Sequence, residues 1–349
     1  MKRTYISELK LGVPCKIAGF LEVVHKQKTM QFLILKDVTG RVQITIERAK
    51  LPEMAAEVEK LTPHSFITVE GVLKSAPQVK IGGIEFLPTR LTIDSVAEAL
   101  PINEQSLQDK RLNYRWIDLR DEQKTFYFKL QTIFEKYVIE YFTTHGYIEI
   151  HTPKITALSS EGGSEVFEIK NYFGQKAYLT QSPQLYKQMS MMAGFDKTFE
   201  LAEYFRANPS FTSRHDTEFT CFDIEISYIE SHHDIMDAEE ELLTYVLAKM
   251  KDELNEEYKK YFEKDMPTIN YKIPRIPLSE VYKICKEKMG YEVPRALKGD
   301  LDPESERLIC KYAKQELGSD FVSSALSSCF LLKKARRQCR TYKILRLAI

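Results

Sequence analysis

The sequence predicts an α+β chain in two parts, a small N-terminal β-barrel followed by an antiparallel sheet flanked by helices. Three observations predict it. Residues 11 to 94 carry alternating apolar runs, the period of half-buried strands. Residues 126 to 141 repeat apolar side chains at helical spacing. Residues 199 to 227 read as strand, polar loop and strand, with charges sorted by face. A length of 349 residues suits two domains.

In the first part, Arg41 to Glu47 places Val42, Ile44 and Ile46 on one face. Gln31 to Lys36 is a second strand, joined to it through Asp37-Val-Thr-Gly40. Cys15 to His25, Ser65 to Lys74 and Val79 to Asp94 supply three more strands. Pro52 to Leu61 is a helical insert between the third and fourth. Five strands with one such insert fit an OB-fold barrel, although the pattern alone fits any small barrel. Residues 98 to 123, with Pro101 and Lys110-Arg-Leu-Asn-Tyr-Arg-Trp-Ile-Asp-Leu-Arg120, read as a hinge. Phe126, Leu130, Ile133, Phe134, Tyr137, Val138 and Tyr141 then form one face of a long helix that Gly146 ends, and the strand Tyr147 to Lys154 follows. Beyond the hairpin, Ile235 to Phe262 is a charged helix, Pro274, Pro277 and Pro294 mark loops, and residues 300 to 320 form a short helix.

Composition narrows the function classes. The hydrophobic content of 43% supports ordinary cores. Fifty basic side chains balance fifty acidic ones, so any nucleic-acid surface is a local patch, not a whole-chain field. The six cysteines, at 15, 221, 285, 310, 329 and 339, include no Cys-x-x-Cys pair and fit no zinc site; their scatter suits a reducing compartment. No apolar run reaches the roughly 20 residues of a membrane span, and the N-terminus has no signal-type apolar core. A soluble, cytoplasmic protein is expected. There is no Gly-rich P-loop, Rossmann fingerprint or internal repeat.

The hairpin carries the chemistry. On its first strand Phe199, Leu201, Glu203 and Phe205 share one face, and Ala202, Tyr204 and Arg206 the other. On its second, Thr220, Phe222, Ile224 and Ile226 oppose Asp223 and Glu225. Arg206, Arg214 and His215 suit anionic oxygens. In Gln181-Ser-Pro-Gln-Leu-Tyr-Lys-Gln188, Ser182 is placed at an N-cap and Pro183 at the first helical position, so Gln184 and Lys187 share a helix face. Solvated charges on a plain hairpin and a plain capped helix are the alternative readings of these segments taken singly.

Together these segments resemble motif 2 and the neighbouring substrate helix of the class II aminoacyl-tRNA synthetases, in the aspartyl/asparaginyl branch. The helix, Gly146, strand and Pro153 resemble motif 1, which builds the family's dimer interface, and position in the chain then favours the OB-fold reading of the barrel. The resemblance implies an aspartate–tRNA ligase of the archaeal/eukaryotic type, a homodimer using ATP and Mg2+. Aspartate attacks the α-phosphorus of ATP, and the 3′ end of tRNA(Asp) then attacks the aspartyl-adenylate. Whether tRNA(Asn) is also an acceptor stays open. By resemblance, Gln184 and Lys187 contact the amino acid, Asp223 holds Lys187, and Glu161 in Ser159-Ser-Glu-Gly-Gly-Ser164 faces the substrate ammonium. Arg206 binds the α-phosphate and carboxylate, and Arg214 and His215 the distal phosphates. Asn208 stands where the family has an acidic residue near adenine. Phe32 and Gln43 match anticodon-contacting positions; core packing is the other reading of Phe32. A lysine aimed into the pocket fits an aspartate side chain and gives an asparagine amide nothing, which argues against an asparagine–tRNA ligase.

The resemblance runs to about residue 322. The family continues through a metal-binding strand and a Gly-rich motif 3, and neither is found, so the Mg2+ ligands are not in this chain. From Phe321 onward there are seven basic residues and no acidic one. The expected domains are an OB-fold anticodon-binding domain at 1–97, a hinge at 98–123, a partial catalytic domain at 124–322 and an atypical basic tail at 323–349. The tail reads as a truncated or frame-shifted end, with an RNA-gripping tail as the alternative. Weak or absent activity is expected of such a chain, and a non-catalytic tRNA-binding protein is the rival of a different class.

Overall fold

The computed structural model describes residues 2–157, 166–207, 216–294, 299 and 301–324. The chain divides into two compact units, the first spanning Met1–Arg120 and the second beginning at Asp121.

The first unit is a closed barrel of β1 (Pro14–Lys26), β2 (Met30–Lys36), β3 (Arg41–Glu47), β4 (Phe66–Ser75) and β5 (Ile84–Ser95), in the order β1-β2-β3-β5-β4. The pairings are antiparallel except β3 with β5, which is parallel. Alternation turns Leu33 and Leu35 of β2 and Val42, Ile44 and Ile46 of β3 inward, where they meet Ile17, Leu21, Ile67, Val69 and Phe86. Helix α1 (Pro52–Glu59) adds Ala55 and Val58 to this core. It is tied down by the buried Gln31 side chain, which donates to the Ala55 carbonyl at 3.1 Å. Two strand glycines are sterically required. A Cβ on Gly19 would lie 2.2 Å from the Lys36 carbonyl oxygen, and one on Gly71 would lie 2.2 Å from that of Leu87. The fifth strand starts at Ile84, not at Val79, because Gly82 and Gly83 take φ of +66° and +65°, outside the strand region. Two short helices, α2 (Gln108–Asn113) and α3 (Arg115–Asp118), close the unit.

The second unit opens with α4 (Glu122–Thr144), whose N-cap Asp121 accepts from the Lys124 amide. After Gly146 the expected strand is cut to β6 (Ile148–Glu149), because the chain reaches Pro153 and moves to another sheet. That sheet, in the order β7-β9-β8, contains β7 (Ile155–Thr156), β8 (Glu168–Tyr172) and β9 (Gln175–Leu179). Helix α5 (Gln184–Met192) follows. The hairpin of β10 (Lys197–Phe205) and β11 (Glu218–Ile226) then pairs β10 in parallel with β6. Helix α6 (His232–Phe262) begins at a capping box of Ser231 and Asp234. Its Leu242, Val246, Met250 and Leu254 pack with Phe126, Leu130, Phe134 and Phe142 of α4 against Phe199 and Ile224. The Phe142 and Phe199 rings lie 4.8 Å apart. Helices α7 (Leu278–Met289) and α8 (Pro303–Glu316) form a smaller core through Val281, Ile284, Cys285, Leu308 and Ile309. Among the described residues no helix is long and apolar enough to cross a membrane.

Candidate active site

The register of the hairpin places the site. Glu200 pairs with Asp223, Thr198 with Glu225 and Tyr204 with Phe219. Alternation therefore gathers Thr198, Glu200, Ala202, Tyr204, Phe219, Cys221, Asp223 and Glu225 on one face, while Phe199 and Ile224 of the other face go to the helical core.

Helix α5 delivers a lysine to the polar face. Lys187 is fully buried. Its Nζ donates to Asp223 Oδ1 and, at 2.9 Å, to the Ile224 carbonyl. The same ammonium lies 3.4 Å from Glu225 Oε2. That oxygen is buried and makes no hydrogen bond among the described residues. Burial pushes the Glu225 carboxyl up to about 7, against the pull of Lys187, and the Asp223 charge adds to the rise. Helix α5 itself starts at Gln184 with Pro183 as its N-cap, one residue later than the sequence predicts. Ser182 is therefore not the cap; it is buried ahead of the helix, and its carbonyl accepts from Thr180 Oγ1 at 3.1 Å.

A second charged group sits beside the first. The Glu200 carboxylate is 1% exposed and takes four donors. They are the Thr152 amide at 2.6 Å and, at 2.8 Å each, Thr152 Oγ1, Lys154 Nζ and Tyr204 Oη. Burial raises this carboxyl, but the hydrogen bonds from Lys154, Thr152 and Tyr204 outweigh it and hold the group below its ordinary value. Burial and the same carboxylate push the Tyr204 phenol far up, so it stays a donor.

Arg206 lies just past β10, in phase with Tyr204 and Glu200. Its amide donates to the Thr217 carbonyl at 2.9 Å, and its guanidinium lies over the Phe219 ring at 5.4 Å. Gln184, one turn before Lys187, is half-buried. Glu161, Asn208, Arg214 and His215 lie outside the described residues. Among the described residues no three His, Cys, Asp or Glu side chains gather as a metal-holding group.

In the barrel, Phe32 and Gln43 both point away from the core. Phe32 pairs with Thr45 and Gln43 with Ile34, so neighbouring residues of β2 and β3 present them on one outer face. The Gln43 amide donates to Thr45 Oγ1 at 3.3 Å. Phe32 is half-buried and lies outside the barrel's buried core cluster.

Sequence reasoning assigned no role to Glu200, Lys154, Thr152 or Tyr204. The signal available was that Glu200 shares a strand face with Tyr204 and Arg206, two and three alternations away.

Residues 107–324 match the family of tRNA synthetases class II (D, K and N). The chain belongs to the class II aminoacyl-tRNA synthetases. Residues 15–94 match the OB-fold nucleic acid binding domain. An aspartate–tRNA(Asp/Asn) ligase from Aeropyrum pernix is 36% identical over 322 residues, covering 90% of this chain and 72% of the relative. An aspartate–tRNA(Asp) ligase from Pyrococcus abyssi is 36% identical over 321 residues, with the same coverage. Among solved structures, asparaginyl-tRNA synthetase from Pyrococcus horikoshii complexed with asparaginyl-adenylate superposes with a TM-score of 0.80 at 27% identity, covering 89% of this chain and 72% of that one. The synthetase relatives thus share both the barrel and the hairpin-bearing sheet.

Proposed function

We propose that this synthetase is an aspartate–tRNA ligase. It activates aspartate with ATP and transfers it to the 3′ end of tRNA(Asp), with tRNA(Asn) as a further acceptor to be tested. The observation that carries the reading is the buried Lys187 held by Asp223 on the polar face of the motif 2 hairpin. A buried ammonium is costly unless it is matched by carboxylate, and a substrate side-chain carboxylate is the ligand such a group selects. The relatives named as aspartate–tRNA ligases, at 36% identity against 27% for the asparaginyl structure, support the same choice.

In the first step the α-carboxylate of aspartate attacks the α-phosphorus of ATP. A bond forms between a carboxylate oxygen and the α-phosphorus, the bond from the α-phosphorus to the oxygen bridging the β-phosphate breaks, and pyrophosphate leaves. In the second, a hydroxyl of the terminal adenosine attacks the acyl carbon and AMP departs. No side-chain nucleophile is needed, and the chain supplies position and charge. Lys187 and Gln184 orient the amino acid, and Glu161 takes its ammonium. Arg206 neutralises the α-phosphate, Arg214 and His215 reach the distal phosphates, and Asn208 contacts adenine. Mg2+ belongs to this chemistry when bound.

The outer barrel face with Phe32 and Gln43 reads the anticodon: a half-buried aromatic on that face offers a stacking platform, and an amide offers base-edge hydrogen bonds. The division into barrel (1–97), hinge (98–123) and catalytic part (124–322) goes with this reading. So do a cytoplasmic location and a homodimer built on α4 and β6, where Phe128 and Ile148 are about half exposed. The test is charging of separate tRNA(Asp) and tRNA(Asn) transcripts with labelled aspartate. Charging of tRNA(Asp) above a protein-free control, at the weak rate expected of this chain, is the expected result, and charging by asparagine and not by aspartate overturns the reading.

A further inference from the structure

The charges around Lys187 do not add up to an anion site. Asp223 and Glu225 reach the ammonium from β11. With both ionised, two negative charges meet one positive charge. From β10, Glu200 stands opposite Asp223, but it is answered by its own lysine, Lys154. Among the described residues, Lys187 and Asp223 are the charged groups that act on Glu225, and with Glu225 ionised the three sum to one negative charge; Arg206 lies further along the same face, past the end of β10. A substrate side-chain carboxylate brought to Lys187 would meet that negative charge, and like charges repel strongly where burial keeps water away.

Geometry indicates where the excess is relieved. Asp223 is bound directly to Lys187, and Glu200 has four donors. Glu225 Oε2 alone is buried, 3.4 Å from the ammonium, and without a hydrogen bond among the described residues. A carboxylate arriving at Lys187 comes beside this orphan oxygen. Protonated, the same oxygen becomes a donor with an acceptor in front of it.

We infer that Glu225 is a specificity-determining residue that takes up one proton from solvent when aspartate binds, and that it then donates a hydrogen bond to the substrate side-chain carboxylate. The inference rests on the aspartate reading above. It makes selection of aspartate over asparagine the joint work of Lys187 and a neutral Glu225, since an amide brings no charge and demands no proton. The raised carboxyl of Glu225, at about 7 in the free protein, supports it by keeping the protonated form within reach at neutral pH.

The test is calorimetric titration of the purified protein with aspartate, and separately with asparagine, in buffers of differing ionisation enthalpy. Expected proton uptake with aspartate is close to one per site at about pH 8.5 and close to zero at about pH 5.5, and the aspartate Kd rises about tenfold per pH unit above the Glu225 value. Glu225→Gln, which mimics the protonated form, abolishes the uptake and flattens the Kd profile. Aspartate binding with no proton uptake across this range overturns the inference while leaving the aspartate reading intact. So does an uptake that survives in E225Q. Binding of asparagine and not aspartate at every pH overturns the aspartate reading instead.

Discussion

Glu200 and Asp223 stand directly opposite each other across the β10–β11 ladder, and each is answered by a different lysine. Lys154 comes from the segment after β6 and Lys187 from α5, so two parts of the chain far apart in sequence neutralise one cross-strand carboxylate pair. Unanswered, such a pair destabilises the hairpin. The hairpin that bears the site is therefore held together by the same charges that shape it.

Replacing Lys187 with methionine keeps the bulk of the side chain and removes the only cation that touches both Asp223 and Glu225 among the described residues. The buried Glu225 and the part-buried Asp223 then lose the cation they share. A loss of about 3 kcal/mol is expected from denaturant unfolding, together with loss of aspartate-dependent pyrophosphate exchange. Unchanged stability would show that the pair is not coupled.

Lys154→Met is the milder of the two lysine substitutions. Lys154 is 28% exposed, and Glu200 keeps the Thr152 and Tyr204 donors when it is gone. The expected cost is about 2 kcal/mol, measured by urea unfolding.

Stability against pH separates the two glutamates. Glu200 is held below its ordinary value, so its contribution is present above that value and is lost as the pH falls through the lower folded one. Glu225 is raised from 4.5 to about 7, so its contribution is full below 4.5 and is lost as the pH rises toward 7. Thermal melts should show that E225Q flattens the loss between about pH 5 and pH 7. Glu200→Gln should instead change the acid limb. The opposite assignment of the two limbs would contradict the hydrogen bonding described for each carboxylate.

Phe32→Ala removes an aromatic from the outer barrel face and leaves the core untouched. A tRNA-binding loss of about 1–3 kcal/mol is expected, with little change in barrel stability or in pyrophosphate exchange. Leu33→Ala, one residue on and fully buried, should cost about 2–5 kcal/mol of barrel stability. Gel-shift titration and thermal melts read the two effects apart.

Much of this architecture was legible from patterns that local physics enforces. Alternation in Arg41–Glu47 and the helical stripe from Phe126 to Tyr141 each encode one buried face, and the structure keeps both. The strand after Gly146 is shorter than its sequence pattern predicts, because its length is set by pairing with β10, a tertiary partner that sequence spacing does not reveal. Helix α7 is hidden in the sequence because Pro274, Pro277 and Pro294 read as loops, although Pro277 is its N-cap and Gly290 ends it in the left-handed region. In the site, Lys187 and Asp223 could be named from their motifs. The Glu200 node could not, because it joins Thr152 and Lys154 to a strand nearly fifty residues later, as the 46- and 48-residue separations record. Glu225 was placed on the correct face, but its orphan oxygen exists only in three dimensions.

The most direct measurement is ATP–pyrophosphate exchange by the purified protein, with aspartate and asparagine supplied separately. Exchange that depends on aspartate and is lost in Lys187→Met is the predicted result. Exchange driven by asparagine alone would contradict the assignment of Lys187 to a carboxylate-bearing substrate.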